Sequence, residues 1–262
     1  MLLAIDVGNT NTVFGLYDLA RERLVTSIRA STRRDRMPDE WYAILEPALR
    51  ADSRSASDIT AVILSSVVPS VTTWLTAMAR DRLHVDRVLV SIDLDLGIGV
   101  RVETPSEVGS DRLVNSVAAL ARYGAPAIVI DFGTATNFDV ISADGDYVGG
   151  AIAPGLVIAL EALAGRAARL FAIELKLPER AIGTNTVTSM QSGLVLGYLA
   201  MLEGMIDRIQ AELGEKAAVI VTGGYADIFA GASARIDHFD PTLTIDGLCL
   251  VYQRLFPDVS QP

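Results

Sequence analysis

Three aspartates stand where a carboxylate can do chemistry: Asp6, Asp111 and Asp131. Asp6 and Asp131 each close an apolar run, LLAID and AIVID. Each is followed by one residue, a glycine and a turn rich in Thr and Asn, DVGNTNT at 6–12 and DFGTATN at 131–137. A carboxylate at the carboxyl end of a buried strand projects into the crevice where α/β proteins bind ligands. The glycine lets the backbone approach a phosphate, and successive turn N–H groups, with Thr and Asn side chains, donate to phosphate oxygens. The aspartate would hold a cation, directly or through water, that neutralises the phosphates. One such turn is ordinary punctuation. Two matched copies point to a nucleotide whose terminal phosphate is gripped by two related loops.

Asp111 has a different setting. With Gly109, Ser110 and Arg112 it forms a set of small residue, hydroxyl, acid and cation. The acid could accept a proton from an alcohol, and Arg112 could bind a carboxylate bidentately. A plainer alternative is a solvated polar face near a helix start, where acids are favoured anyway. The VTGG at 221–224 reads either as a strand end pressed against an adenine or ribose, or as a plain strand-to-helix turn.

The elements that must position these residues follow from periodicity. LLAID, TVFGLY and RLVTSIRA are β-like runs in succession and predict a meander. A helix over 38–49 is predicted by Pro38 in its first turn and by Asp39 and Glu40 at its positive end. The strand ITAVILSSV, a helix over 70–83 and the strand RVLVSI come next. TPSE at 104–107 reads as a capping box opening a helix to about Tyr123, with an apolar face at 113, 114, 117, 120 and 121 and a polar stripe of Glu107, Asp111 and Asn115. The second motif repeats the first, AIVIDFGTATN then NFDVISAD and DYVGGAIA, followed by helix LVIALEALAGRAA. A long helix over 186–213, the strand AAVIVTGG and a helix over 243–255 complete the chain. Gly193, Gly197 and Gly204 allow close helix contact, in the core or with a second copy. Alternating strands and helices predict an α/β fold. The repeated motif predicts a domain-scale duplication, divided here into 1–117 and 118–262, since 262 residues suit about two domains.

Composition narrows the function. Half the residues are hydrophobic, enough for a sizeable core, and the net charge is −10. The one dense basic stretch, Arg33, Arg34 and Arg36, is interrupted by Asp35, so nucleic acid is not an expected partner. Two histidines, His84 and His238, and one cysteine, Cys249, cannot supply a Cys/His metal cluster. No P-loop and no dinucleotide fingerprint occurs. No apolar run approaches the roughly 18 residues of a membrane span, and MLLAID is too short for a secretory core. A soluble, cytoplasmic protein is expected.

Together, DVGNTNTVFGLYD (6–18), PSEVGSDRLVNSVAAL (105–120), DFGTATNFDV (131–140), GGAIAPG (149–155), GTNTVTSMQSG (183–193) and VTGG (221–224) resemble the type III pantothenate kinases, in that family's order and spacing over nearly the whole chain. The resemblance implies two duplicated actin-like (ribonuclease H-like) domains with a nucleotide cleft between them, and a homodimer. It implies transfer of phosphate from ATP to pantothenate, the first step of coenzyme A synthesis, with Mg²⁺ and a monovalent cation, K⁺ or NH₄⁺. It assigns Asp6, Val7, Gly8, Asn9, Thr10, Asn11, Thr12 and Val13 to the first phosphate loop, with Mg²⁺ held near Asp6. Thr134 becomes a further ATP contact, Asp131 the monovalent-cation ligand and Asp111 the proton acceptor. Gly109, Ser110, Arg112 and Thr186 become pantothenate contacts. Three positions depart from the family pattern. Val102 stands where many members place a substrate-contacting Tyr, Ser110 where Ala is usual and Asn137 where Thr is usual. A silent regulatory relative, an actin-like filament protein, or a kinase of another small alcohol would share the fold. The intact Asp6, Asp111 and Asp131 argue against the first, and the chain is short for the extra subdomains of actin.

Overall fold

The computed structural model describes residues 1–90, 94–167 and 169–257. In chain order the elements are β1 (Leu2–Val7), β2 (Asn11–Asp18), β3 (Arg23–Ser31), α1 (Pro38–Ala51), β4 (Ala61–Ser66), α2 (Pro69–Leu83), β5 (Val88–Val90), α3 (Ser110–Tyr123), β6 (Ala127–Phe132), β7 (Ala135–Ile141), β8 (Tyr147–Pro154), α4 (Leu156–Arg166), α5 (Thr186–Gln191), α6 (Gly197–Leu213), β9 (Ala218–Gly223), α7 (Ala226–Phe229), β10 (His238–Phe239) and α8 (Leu243–Leu255). The last two residues of the expected run RVLVSI, and Ala168 at the end of LVIALEALAGRAA, lie outside the described residues.

The strands form two five-stranded sheets of one topology, β3-β2-β1-β4-β5 and β8-β7-β6-β9-β10. In each, the first three strands run antiparallel, and the motif strand pairs in parallel with a fourth, which pairs in parallel with a fifth. The duplication therefore extends from the sequence motif to the whole sheet. The central strand β1 shows why its sequence is almost wholly apolar. Successive side chains face opposite ways, so Leu3, Ile5 and Val7 enter a core with Trp41, Leu45, Val71 and Leu75 of α1 and α2. Leu2 and Ala4 enter another with Leu248, Cys249 and Tyr252 of α8. A strand covered on both faces reads as a continuous hydrophobic run. In the second sheet, Ile128, Ile130 and Phe132 of β6 pack with Leu202 and Ile206 of α6.

The chain divides into two compact units: Met1–Ile98 with Thr104–Ala118 and the residues from Thr242 onward, and Gly99–Glu103 with Ala119–Pro241. Two contiguous halves would have left α8 in the second unit; here it covers the first sheet. Its contacts explain the difference. A Cβ on Gly15 of β2 would lie 2.3 Å from Ile245 Cγ2, and one on Gly247 would lie 2.4 Å from the Val114 carbonyl oxygen of α3. Gly247 lets α8 lie against the backbone of α3, and Gly15 leaves room on β2 for the Ile245 side chain.

One helix expectation is corrected, and a second holds with a local irregularity. The capping box at 104–107 does not open α3. Residues 105–107 form a separate 3₁₀ turn, Thr104 makes no side-chain cap, and Val108 is extended at φ −75°, ψ 123°. The helix restarts at Ser110, which brings Asp111 into its first turn. Its inaccessible positions are Val114, Asn115, Ser116, Ala118 and Ala119, while Ala121 is exposed, so the buried face is rotated from the expected one. The single helix over 186–213 is α5 and α6 joined through a π turn at Ser192–Leu196. A Cβ on Gly193, Gly197 or Gly204 would meet nothing within 4 Å; the core-packing reading of these glycines therefore fails. No described helix is long and apolar enough to cross a membrane.

Gly247→Ala is expected to lower the unfolding free energy by about 1–3 kcal/mol through overpacking, although alanine favours a helix by about 1 kcal/mol over glycine. Urea unfolding checks this; an unchanged or higher midpoint would contradict the contact.

Candidate active site

The first motif aspartate is the penultimate residue of β1, with Val13 of β2 on one side and Ser65 of β4 on the other. The β1–β2 turn closes with Gly8 N–H donating to the Asn11 carbonyl at 2.9 Å. Asn9, Thr10 and Asn11 are exposed on it, whereas Val7 and Thr12 are buried. The Thr12 and Thr32 hydroxyls are 2.9 Å apart, Thr32 Oγ1 donates to the Gly8 carbonyl at 2.7 Å, and Thr32 N–H donates to the Thr10 carbonyl at 2.8 Å. Of the eight residues expected to form this loop, Gly8, Asn9 and Thr10 form the turn, while Asp6 and Val7 belong to β1 and Asn11, Thr12 and Val13 to β2.

The second motif is built alike. Asp131 lies between Asn137 of β7 and Thr222 of β9. Gly133 N–H donates to the Ala135 carbonyl at 2.9 Å, and Gly155 N–H donates to the Thr134 carbonyl at 3.0 Å. Gly133 and Thr134 are exposed. The VTGG run ends β9 directly beside this carboxylate. Gly223 has φ +94°, and a Cβ there would lie 2.5 Å from Asp131 Oδ1. That position needs glycine both for its left-handed backbone and for the space it leaves to Asp131.

Asp111 reaches its place through buried polar contacts. Ser110 Oγ lies 2.9 Å from Ser65 Oγ, and both residues are buried. Ser65 is the β4 partner of Asp6, so one unit gathers the first motif aspartate, the serine beside it and the start of α3. Gly109 precedes them in a space that a Cβ would close, at 2.5 Å from Asp111 Oδ1. Arg112 N–H donates to Asp111 Oδ1 at 3.0 Å. Burial pushes the Asp111 carboxyl above the ordinary carboxylate range, against the opposing pull of the Arg112 N–H and guanidinium. A carboxyl raised in this way is a better proton acceptor than an exposed aspartate.

The other expected contacts lie in the second unit. Val102 Cγ1 is 3.7 Å from where a Cβ on Gly149 would stand. The strand-like stretch around it is held by Arg101 N–H donating to the Tyr147 carbonyl at 2.8 Å. Thr186 is exposed and begins α5, behind Asn185, whose side chain accepts from Thr188 N–H at 2.9 Å. The structure thus groups Asp6, the first turn and Gly109–Arg112 in one unit, and Val102, Asp131, Thr134 and Thr186 in the other.

Among the described residues no three His, Cys, Asp or Glu side chains converge as a metal cluster. Each motif aspartate is flanked instead by oxygen-bearing neighbours, Ser65 at Asp6, and Thr222 and Asn137 at Asp131. Oxygen donors suit hard cations, and Mg²⁺ is commonly held by one or two carboxylates together with waters and substrate phosphates. The residues present therefore fit a phosphate-bound Mg²⁺. Ser65 and Thr32 were not singled out by the sequence, whereas Gly223 falls in the VTGG run. The one local signal of the two is a polar residue at or beside a strand end, and only pairing shows which carboxylate or turn they serve.

Over residues 2–208 the chain matches the family model described as Type III pantothenate kinase. It is 49% identical to the type III pantothenate kinase of Thermomicrobium roseum, over 97% of this chain and 98% of that one. It is 46% identical to that of Moorella thermoacetica, over 97% and 99%. Among solved structures it is similar to a conserved Baf-family protein from Campylobacter jejuni, with TM-score 0.61 and 16% identity over 97% of this chain and 98% of that one. It is similar also to a 2-dehydro-3-deoxygalactonokinase-type protein from Sinorhizobium meliloti, with TM-score 0.59 and 14% identity over 98% and 100%. These structural likenesses concern the fold, which is α/β with two duplicated actin-like domains.

The Asp111 shift has a consequence for stability. Its folded-state pKa exceeds the unfolded value of about 3.9, so the native state holds this proton to higher pH than the unfolded chain. The associated stability is full below the unfolded pKa and is lost as pH rises through the folded one. Asp111→Asn is therefore expected to gain stability relative to the unmodified chain as pH climbs out of the ordinary carboxylate range. Urea midpoints at pH 5 and pH 8 test it, and an Asp111→Asn midpoint that does not rise relative to that of the unmodified chain between the two would contradict the role of burial.

Proposed function

The chain belongs to the type III pantothenate kinase family, and from that membership we propose that it transfers the γ-phosphoryl group of ATP to the primary hydroxyl of pantothenate. The product is 4′-phosphopantothenate, the first intermediate of coenzyme A biosynthesis. The observation that carries this reading is the near-full-length identity to type III pantothenate kinases, in a chain that keeps both motif turns and a half-buried acid at position 111.

Phosphoryl transfer passes through a loose transition state, so positioning and charge neutralisation carry most of the catalysis. In this reading N–H groups of the Asn9–Asn11 stretch and of Thr134 bind phosphate oxygens, while the Gly8 and Gly133 N–H groups close their own turns. Asp6 holds the Mg²⁺ that neutralises the phosphates, and Asp131 holds a monovalent cation. Asp111 orients the pantothenate hydroxyl and takes its proton. Arg112 binds the pantothenate carboxylate, and Gly109, Ser110 and Thr186 line the rest of the acceptor site. Val102 offers an apolar contact where many relatives have a tyrosine.

A second copy of the chain and a cytoplasmic location belong to the same proposal. Support for the copy comes from exposed apolar side chains, Ile152 at 66%, Phe171 at 53% and Ile182 at 84%, and from the open space around Gly193, Gly197 and Gly204. Light scattering of the purified chain and cell fractionation decide these two points.

Asp111→Asn is expected to lower kcat by about 10²–10⁴-fold, the usual worth of a general base, with ATP binding nearly intact. A kcat within a few-fold of the unmodified enzyme in a coupled ADP-release assay would remove Asp111 from this role. In the same assay, replacing K⁺ with Na⁺ should weaken ATP use through Asp131; equal rates in the two salts would exclude a selective monovalent site.

A further inference from the structure

Thr12 and Thr136 hold equivalent places in the two sheets. Each lies on the second strand, opposite the residue that follows the motif aspartate: Thr12 pairs with Val7, and Thr136 with Phe132. Both are completely buried. Each hydroxyl is bonded inside the protein. Thr12 is bonded to Thr32, which follows β3 and takes hold of the Gly8 and Thr10 carbonyls. Thr136 Oγ1 is 2.6 Å from the Tyr198 hydroxyl, which is also bonded to the carbonyl of Pro154, the last residue of β8. The next residue, Gly155, donates its N–H to the Thr134 carbonyl at 3.0 Å, and its Cα packs so closely that a Cβ would stand 2.2 Å from that oxygen.

In each sheet the path is the same: a buried threonine hydroxyl, the end of the third strand, and the carbonyls of the motif turn. A trans peptide unit is planar, so its C=O and the following N–H point in opposite directions. Holding the Gly8 carbonyl therefore turns the Asn9 N–H away from Thr32, and holding the Thr134 carbonyl turns the Ala135 N–H away from Gly155.

We infer that Thr12 with Thr32, and Thr136 with Tyr198, are positioning residues for nucleotide binding, buried hydroxyl pairs that fix the direction of the N–H groups in the two turns. The inference rests on the reading that these turns hold the phosphates of ATP. It recasts Thr12 as an anchor beneath the loop and gives Tyr198 a place in the binding chemistry.

Thr12→Val and Tyr198→Phe each delete one hydroxyl with little change of shape. Each is expected to raise KM for ATP by about two- to tenfold, the equivalent of one net hydrogen bond, with a smaller change in KM for pantothenate. Thr12→Ser keeps the hydroxyl and should restore most of the affinity for ATP, which a purely space-filling role would not predict. The double variant Thr136→Val/Tyr198→Phe should do no more harm than Tyr198→Phe alone. Thr134→Ala serves as the reference for the turn itself. If it leaves KM for ATP unchanged, the assignment of the turns to ATP fails. If it raises KM for ATP while Thr12→Val and Tyr198→Phe do not, the turn assignment stands and the anchoring role is overturned. Should Thr12→Val fail to fold, Thr12→Ser and Tyr198→Phe still decide the matter.

Discussion

In a chain of net charge −10, motif turns that carry no lysine or arginine can hold a polyanion only through backbone N–H groups and bound cations. That constraint governs the architecture. Peptide N–H groups are weak donors unless several converge, and they converge only where the turn that carries them is held still. Each motif turn is held from below by its central strand and from the side by the third strand of its sheet. The same arrangement puts a carboxylate at the strand end, where a cation can mediate between it and the phosphates. The aspartates and the donor turns are thus one device, used twice, and the sheet topology is repeated in full around it.

The third acid answers to a different need. A proton acceptor, the role proposed for Asp111, works best with a pKa near the working pH, and burial moves the Asp111 carboxyl in that direction. The helix restart at Ser110 makes the burial tolerable. It places the carboxylate in the first turn, near the positive end of the helix dipole, and within reach of the Arg112 N–H. The cost falls on stability above the ordinary carboxylate range, a cost common at sites where function and folding make opposite demands.

Local patterns were the most legible part of the sequence. The two motif turns, the meanders and the helices at 38, 70 and 243 are announced by residues adjacent in the chain, and the structure has elements at all of them. What failed depended on distance. TPSE has the composition of a capping box, but the extended Val108 and the permissive Gly109 break the helix before Asp111. The destination of α8 depends on two glycines, Gly15 and Gly247, and the elements that press against them; periodicity within α8 shows that it has a buried face but not which sheet covers it. Ser65 gains meaning only from its register opposite Asp6, and Tyr198 only from the folding of α6 over the second sheet. Strand register and helix destination are tertiary properties, and a single sequence carries little local record of them.

The two halves of the duplication have also diverged in an informative way. From the residue after the aspartate to its paired threonine, the first turn has one residue more than the second, Val7 to Thr12 against Phe132 to Thr136. The first sheet anchors its turn with a threonine that follows its own third strand. The second recruits a phenol from α6, just beyond a π turn. A π turn inserts one residue into a helix and rotates everything after it, so the position of Tyr198 depends on that local irregularity. A regular helix through 192–196 would carry the phenol away from Thr136 and leave a fully buried hydroxyl in search of a partner, which is costly in a protein interior. The widened turn is therefore part of what supports the second motif turn, although it lies more than fifty residues further along the chain.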